Sequence, residues 1–185
     1  MVVGHFGIAL GARALRRTAP LAWLVIAAIV PDLLDAVYAL AKVCSPYGTW
    51  SHSLPAIALL AAIATLVAYT ATRSGVTAAA FGLVVLTHAP ADWLTGQKIL
   101  WPHGPVIGLY LYRWPWLDFV LELPLIVAGW WMVRRSRTAP RWMLSLGALV
   151  TLLLVQAAAD LSLETMSHFG TKLHERACAE RPSGG

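Results

Sequence analysis

The stretch THAPADWLTG, residues 87–96, decides which kind of fold the chain can form. It closes an apolar run over residues 76–94 that is long enough to cross a membrane, yet it places a histidine and an aspartate four residues apart. An ionisable side chain in hydrocarbon is costly unless it is paired, coordinates an ion or faces a wet cavity. The stretch therefore predicts a membrane helix that turns His88 and Asp92 towards other polar groups inside a helical bundle.

Composition places the rest of the chain in the same class. Of its 185 residues, 58% are hydrophobic and only 12% are charged, and the mean hydropathy is +0.66. Soluble domains carry about twice as much charge. Five apolar runs approach the length of about 20 residues that a transmembrane helix needs, namely residues 20–41, 54–72, 76–94, 115–133 and 142–159.

These runs predict an all-α, polytopic membrane bundle of about five transmembrane helices plus a short N-terminal helix. The N-terminal apolar run, residues 2–15, is too short to span unaided, so we expect it to be partly inserted or re-entrant. A single membrane domain is expected over residues 1–175. Residues 176–185 are predicted to form a disordered tail, because they are mainly small and polar.

Basic residues set the expected orientation. Threading five spans brings most of the fourteen Lys and Arg residues to one side, where they comprise Arg13, Arg16, Arg17, Arg73, Arg134, Arg135, Arg137 and Arg141. The positive-inside rule then predicts a bacterial-type inner (plasma) membrane protein with this side in the cytoplasm and the C-terminus outside. The net charge of +5 does not indicate nucleic-acid binding, because no basic patch interleaved with aromatic residues accompanies it.

In the same five-span arrangement, acids and histidines gather on the outer side of the membrane. They form pairs spaced three or four residues apart, which share one helix face: Asp32 with Asp35, His88 with Asp92, and Asp118 with Glu122, with His52 just before the second span. Imidazole and carboxylate without thiolate suit zinc, with manganese or iron as alternatives. The pattern predicts a metal site near the outer face.

Simpler interpretations stay open for each part alone. A lone His88 could be a core histidine bonded to a carbonyl, Asp32 and Asp35 could cap a helix end, and His52 could face water in a helix cap. The acids of the fourth span could lie in water at its start. A cation site explains the gathering better, because independent solvated residues have no reason to face one side together.

Two further features have ordinary structural interpretations. The acid–histidine stripe of Asp160, Glu164 and His168 is typical of a solvated helix face. Cys44 and Cys178 make neither a metal-spaced pair nor a disulfide framework. They therefore carry no prediction about the compartment.

The order of five motifs resembles a known family. GHFG, PDLLD, WSHSL, THAPADWLTG and LDFVLE follow one another within residues 1–133. In this order they resemble the YdjM-like family of bacterial membrane-bound, metal-dependent hydrolases. That family is similar in motif order to zinc-dependent phospholipase C, an all-helical enzyme that holds three zinc ions.

The resemblance implies a set of metal ligands and a reaction. The positions that match its motifs are His5, Asp32, His52, His88, Asp92 and Glu122, while Asp118 stands where a histidine is expected. It implies one to three divalent ions, most simply zinc, and hydrolysis of a phosphoester or lipid-like substrate by metal-activated water at the outer face. Asp35 and Asp32 are the candidate catalytic carboxylates, with Asp35 as a general base or a carboxylate behind the ligands.

Two rival functions stay open. Acids and histidines inside a membrane also build ion- or proton-coupled transporters, although the chain shows no internal repeat of the kind that many transporters have. A structural or regulatory membrane protein could use the metal only to tie its helices together. Membrane lipids are expected partners in every case. The loop over residues 95–116, rich in aromatic residues, Pro and Gly, is the expected lid of the site.

Overall fold

The computed structural model describes residues 3–179, without the side chains of residues 163–171 and 173–175. Its helices are α1 (Gly4–Leu15), α2 (Leu21–Leu40), α3 (Leu54–Thr72), α4 (Gly75–Leu86), α5 (His88–Thr95), α6 (Pro115–Ser136) and α7 (Leu146–Ala179). One short antiparallel hairpin, β1 (Lys98–Ile99) with β2 (Val106–Ile107), lies between α5 and α6. The prediction of an all-α chain is confirmed.

Three of the predicted spans are single helices of the required length. Within the described residues, α2, α3 and α6 are long and apolar enough to cross a membrane, and α7 begins with a shorter apolar segment, Leu146–Ser162. α7 continues to Ala179, past the boundary predicted at residue 176. Residues 180–185 of the predicted tail lie outside the described residues.

The prediction of one continuous third span is wrong. The chain forms two helices there, α4 and α5, which meet at Thr87. Pro90 explains the break, because it has no N–H to donate to the carbonyl four residues earlier and its ring clashes with that carbonyl. That carbonyl belongs to Leu86, the last residue of α4. Pro90 instead occupies the first turn of α5, where its missing N–H costs least.

Small residues bring the helices close together. The main core contains alanines from α1, α2, α3 and α4 around Leu24, Phe81 and Val85. α1 and α6 touch backbone to backbone, since a Cβ added at Gly129 would overlap the carbonyl of Gly7. Close approach through small residues is how helices associate in a membrane, where the hydrophobic effect does not drive them together.

Large apolar side chains point outwards along the helices. Leu59, Leu66 and Leu154 have exposed fractions of 62%, 63% and 66%. Such an exposed apolar surface would make a soluble monomer aggregate, but it suits contact with lipid. The bundle is therefore apolar outside and small-residue or polar inside.

The arginine-bearing loops gather at one end of the bundle, called here the basic end. Arg13 donates to the carbonyl of Thr138, which joins the loop after α1 to the loop after α6. The hydroxyl groups of Thr18 and Thr77 lie 3.3 Å apart, which places the start of α4 beside the same loop. The opposite end, called here the site end, carries the segment before α3 and the hairpin.

A disulfide joins Cys44, just after α2, to Cys178 near the end of α7. The interpretation that these two cysteines form no disulfide framework is therefore corrected. The two residues are 134 positions apart, so only the tertiary fold could bring them together. The disulfide fastens the far part of α7 to the site end.

Candidate metal centre

Four side chains from three segments meet at the site end of the bundle. Asp32 comes from α2, His52 from the segment before α3, and His88 and Asp92 from α5. Each offers one ligand atom, and these four atoms all lie within 4.8 Å of one another. The sequence predicted all four. We call them the His/Asp cluster.

The distances between imidazole and carboxylate atoms in this cluster are compatible with a four-coordinate zinc ion. His52 Nε2 lies 3.2 Å from both Asp32 Oδ1 and Asp92 Oδ2. His88 Nε2 lies 3.5 Å from Asp32 Oδ1 and 3.4 Å from Asp92 Oδ2. Ligands about 2.0–2.1 Å from a tetrahedral zinc ion are separated by about 3.3 Å. Four of the six edges of that tetrahedron therefore have the right length before any ion is considered.

Hydrogen bonds on the far side of each imidazole turn its Nε2 inwards. His88 Nδ1 lies 2.9 Å from the carbonyl of Ala28, to which it donates, so Nε2 is left to face the cluster. His52 Nδ1 lies 2.7 Å from Ser51 Oγ, and Ser51 in turn donates to Asp35 at 2.8 Å. Such outer partners fix the tautomer and the ring orientation of metal-binding histidines.

The backbone before α3 supports His52. A 3₁₀ turn, Pro46–Gly48, precedes it, and the His52 N–H donates to the carbonyl of Gly48. Gly48 has φ +71°, and a Cβ there would lie 2.7 Å from His52 Nδ1. This turn therefore requires glycine, both for its conformation and for the space that His52 occupies.

The cluster is buried on every side except at Asp32. The side chains of His52, His88 and Asp92 are at most 2% exposed, whereas that of Asp32 is 44% exposed. A ligand from outside would therefore reach the cluster past Asp32. Asp35, half-buried one turn further along α2, lies behind His52 through Ser51.

His5 lies beside the His/Asp cluster and is not one of its four members. Its ring stacks on His88 with centroids 3.9 Å apart, and its Nε2 lies 3.9 Å from the other oxygen of Asp92, Oδ1. The side chain is fully buried, and neither ring nitrogen has a hydrogen-bond partner among the described residues. Its predicted role as a ligand stays a prediction.

Asp118 and Glu122 do not join the His/Asp cluster. They form a second group with Asp160 of α7, which we call the acid cluster. All three are buried, with at most 2% exposure. The interpretation of Asp160 as part of a solvated face is therefore wrong, because α7 turns it into the bundle; the side chains of Glu164 and His168 lie outside the described residues.

The acid cluster is tied to the first turn of α1. Glu122 Oε2 accepts from the N–H of Gly4 at 2.7 Å. Gln156 accepts from the N–H of Val3 at 2.8 Å and donates to Asp160. The carboxyl groups of Asp118 and Asp160 lie close enough to share a proton in a hydrogen bond.

Sequence reasoning missed Lys98, which the hairpin brings to the centre. Its Nζ lies 3.6 Å from Asp92 Oδ2. Burial alone would lower the pKa of Lys98, but the carboxylates of Asp92, Asp35 and Asp32 outweigh burial and raise the pKa. The Lys98 ammonium group is therefore paired with the carboxylates of the cluster. The hairpin is fixed to α3 by a bond from Leu54 N–H to the Leu100 carbonyl, a contact that no local pattern signals.

The comparisons with known proteins agree with this architecture. The sequence profile described as YdjM inner membrane protein matches residues 1–162. The chain belongs to this family. The match extends beyond residue 133, where the motif resemblance ended, and takes in Asp160 of the acid cluster. No curated protein and no solved structure matches the chain.

Membership of the YdjM inner membrane protein family makes the chain a membrane protein, in agreement with its apolar helices. Every residue of the His/Asp cluster lies within the matched region. The family description does not state a reaction. The chemistry of the centre therefore has to be argued from its geometry.

Proposed function

We propose that this chain is a membrane-embedded, metal-dependent hydrolase of an amphiphilic phosphoester, with zinc as the first candidate ion. The observation that supports it is the spacing of 3.2–3.5 Å between the Nε2 atoms of His52 and His88 and the carboxylate oxygens of Asp32 and Asp92. Lys98 already supplies a positive charge beside Asp92, and a bound ion would in addition give both imidazoles and both carboxylates one common partner.

The donor set fits zinc chemically. Two imidazole nitrogens and two carboxylate oxygens suit zinc, manganese or ferrous iron, and the absence of thiolate argues against soft ions. An ion held by these residues would supply a Lewis acid, and with a fifth position open beside the exposed Asp32 it would lower the pKa of a coordinated water molecule towards neutrality. A reaction of this kind needs no protein nucleophile, in keeping with the absence of a serine-hydrolase or phosphate-loop motif from the sequence.

Neighbouring side chains of this chain orient the ligands and add charge beside them. Ser51 and Asp35 hold His52 in one tautomer, and the Ala28 carbonyl does the same for His88. In this proposal Asp35 is a positioning residue, and Asp32 is the carboxylate on the open side, where it can contact both ion and substrate. Lys98 is placed to neutralise a phosphoryl oxygen, since an ammonium group binds phosphate as a point charge.

A second ion is proposed for the acid cluster. Three buried carboxylates cannot all remain ionised in low dielectric without a cation or shared protons. A cation held by these three carboxylates would replace the proton that Asp118 and Asp160 can otherwise share through a hydrogen bond. All-oxygen ligands favour magnesium, manganese or calcium over zinc. His5 and Asp92 Oδ1 are further candidate ligands between the two clusters.

The disulfide supports an outward-facing site. Disulfides persist in oxidising compartments such as the bacterial periplasm, and Cys44 lies at the site end. Arginines at the basic end independently favour a cytoplasmic position for that end. By helix rise, Asp32 lies about 16 Å from the start of α2, roughly half of the ~30 Å hydrocarbon core. A substrate at this depth would be a lipid or another amphiphile.

Metal analysis and turnover of the detergent-purified protein test the proposal. We expect about one zinc per chain at the His/Asp cluster and metal-dependent cleavage of bis(p-nitrophenyl) phosphate. Chelation should abolish the cleavage, and added zinc should restore it. Zinc binding that raises thermal stability without cleavage of that ester or of a set of phospholipids would favour the structural role instead.

Transport is the second function to test. In zinc-loaded liposomes, a hydrolase should give turnover without metal-ion or proton flux, and Asp32→Asn should reduce the turnover. Flux that the wild-type protein catalyses and Asp32→Asn abolishes would contradict the hydrolase. The two functions are separated because each predicts a signal that the other lacks.

A further inference from the structure

Three nitrogen atoms approach one oxygen of Asp92. His52 Nε2 lies 3.2 Å and His88 Nε2 lies 3.4 Å from Asp92 Oδ2, and Lys98 Nζ lies 3.6 Å from the same atom. The other oxygen, Oδ1, lies 3.9 Å from His5 Nε2. Because Oδ2 faces both imidazole nitrogens of the His/Asp cluster, it is the oxygen that an ion in the cluster would bind. The ammonium group of Lys98 therefore contacts a proposed ligand atom directly.

An ion and the ammonium group would repel one another if both contacted this oxygen. A zinc ion bound about 2.1 Å from Oδ2 would lie within about 6 Å of Lys98 Nζ if the lysine kept its position. Positive charges at this separation repel strongly in a centre that is largely closed to water. Lys98 must therefore weaken the binding of the ion, turn away from Asp92 when the ion binds, or do both.

The side chain of Lys98 is free to turn, whereas its backbone is fixed. The hairpin pairs β1 with β2. Just after β2, the Leu109 N–H donates to the Trp93 carbonyl, and the Tyr110 N–H donates to the Gly96 carbonyl. These backbone bonds hold the hairpin against the end of α5 without help from the ion pair. The four-carbon stem of a lysine is flexible, so the ammonium group can change partners while the hairpin stays in place.

Lys98 lies beside the open part of the cluster. Its side chain is 16% exposed and that of Asp32 is 44% exposed, whereas both imidazoles are at most 1% exposed. Asp32 and Asp35 lie close enough to Lys98 to raise its pKa. Together with Asp92 they give three carboxylates against one ammonium group, so an approaching anion is repelled until a dication balances them. An anion that then enters past Asp32 meets the ion and the ammonium group together.

We propose that Lys98 and a metal ion compete for Asp92 Oδ2, and that a substrate oxyanion becomes the partner of Lys98 when the ion holds that oxygen. A phosphate group is the simplest such oxyanion, because an ammonium group binds it as a point charge. A neutral ester would leave the ammonium group without a new partner, so Lys98 favours anionic substrates. This inference rests on the proposed function, which it deepens by naming the residue that couples metal binding to substrate binding.

Zinc affinity tests the competition without any substrate. Detergent-purified, metal-stripped protein is titrated with zinc against a fluorescent chelator. We expect Lys98→Met to bind zinc about tenfold more tightly than the wild type, because one nearby positive charge is removed. Lys98→Arg keeps the charge and should bind zinc much as the wild type does. Lys42→Met removes an exposed lysine just after α2, at the same end of the bundle, and should leave zinc affinity unchanged.

A purely structural role for Lys98 predicts a different result. An ion pair that only orients Asp92 would be lost in Lys98→Met, and zinc would then bind as in the wild type or more weakly. Either of those results overturns the competition.

Amine labelling tests the exchange in the unaltered protein. Acetic anhydride is added to metal-stripped and to zinc-loaded protein, and mass spectrometry measures the acetylated fraction of Lys98 relative to that of Lys42. Zinc alone should increase acetylation of Lys98 several-fold, because the amine loses its carboxylate partner and lies near a second positive charge. Inorganic phosphate added to the zinc-loaded protein should reverse the increase. Unchanged acetylation on addition of zinc overturns the exchange.

A second arm distinguishes a lipid phosphate from free phosphate. Zinc-loaded protein is acetylated in phosphatidylcholine nanodiscs with and without phosphatidic acid. Protection of Lys98 that exceeds the protection by an equal concentration of inorganic phosphate supports the exchange with a lipid head group as the oxyanion. Protection by inorganic phosphate alone supports the exchange with a water-soluble one. Protection by neither overturns the assignment of an oxyanion to Lys98.

Failure of this inference can be told apart from failure of the proposed function. Cleavage of bis(p-nitrophenyl) phosphate by the wild type, with equal zinc affinity in the wild type and Lys98→Met, rejects the exchange and keeps the hydrolase. Tighter zinc binding in Lys98→Met and phosphate-reversible acetylation, in a protein that cleaves no ester, keep the exchange and reject the hydrolase.

Discussion

The His/Asp cluster and the acid cluster are both largely buried groups of side chains that could hold a metal ion, but they are supported differently. In the first, two imidazoles are held from behind so that both Nε2 atoms face inwards. In the second, Glu122 accepts from the backbone of α1, and Asp160 accepts from Gln156. The acid cluster therefore also anchors a helix, whereas the His/Asp cluster is arranged around a point where an ion fits.

This difference predicts which cluster should lose metal affinity when a neighbouring residue is substituted. A ligand that is fixed from behind loses affinity when its outer partner is removed. A carboxylate that accepts a hydrogen bond from the end of a helix mainly fixes the position of that helix. Removing it should change the reaction only indirectly. Variants of the two clusters should therefore separate metal content and turnover from stability.

Removing a ligand from the His/Asp cluster should have the largest effect. In His88→Ala we expect the bound zinc to disappear and turnover of bis(p-nitrophenyl) phosphate to fall about a thousandfold, since the ion supplies several kcal/mol to the transition state. The measurements are elemental analysis and initial rates on the same sample. His103→Ala, at an exposed histidine between β1 and β2, is the matched control, and equal zinc in both variants would rule out the cluster.

Removing an outer partner should have a smaller effect of the same kind. Ser51→Ala breaks the link between His52 and Asp35 and should weaken zinc binding and turnover about 10- to 100-fold. Ser51→Thr keeps a hydroxyl group and should restore much of the loss. A zinc titration and a rate measurement check both variants. If Ser51→Ala binds zinc as tightly as the wild type does, the proposed positioning role fails.

Changing the acid cluster should leave the zinc in place. In Asp118→Asn we expect zinc at the His/Asp cluster to be retained, while a second ion, measured as manganese by equilibrium dialysis, is lost. The change removes one buried carboxylate and keeps its shape, so the bundle should still fold. Unchanged manganese binding would show that the three carboxylates share protons and hold no ion.

Removing the disulfide should affect the centre least. Cys44→Ser with Cys178→Ser should reduce stability by about 2–4 kcal/mol, because a cross-link over a long loop restricts the unfolded chain. Zinc content should stay unchanged, since neither cysteine belongs to either cluster. Thermal unfolding with and without reductant measures the loss. If the zinc content also falls, then α7 supports the His/Asp cluster directly.

Much of the centre could be predicted because its spacing is local. His88 and Asp92 share a face through helical periodicity, and Asp32 and His52 were assigned to the same end by counting spans. Asp118 and Glu122 were correctly paired but wrongly joined to the histidines. Their partner Asp160 is 38 positions further along, and which face of α7 turns inwards depends on contacts that no local pattern contains.

The sequence by itself determined the class of molecule and its local pairs. Apolar length and low charge require a membrane bundle, and a spacing of three or four residues places side chains on one helix face whatever surrounds the helix. Tertiary structure alone decided that Lys98 meets Asp92, that Cys44 meets Cys178, and that the acids form a cluster of their own. The disulfide and the pairing of Asp160 with the other acids join residues distant in sequence, and the Lys98 contact depends on how the hairpin folds back on α5. These contacts therefore exist only once the packed elements have fixed one another's positions.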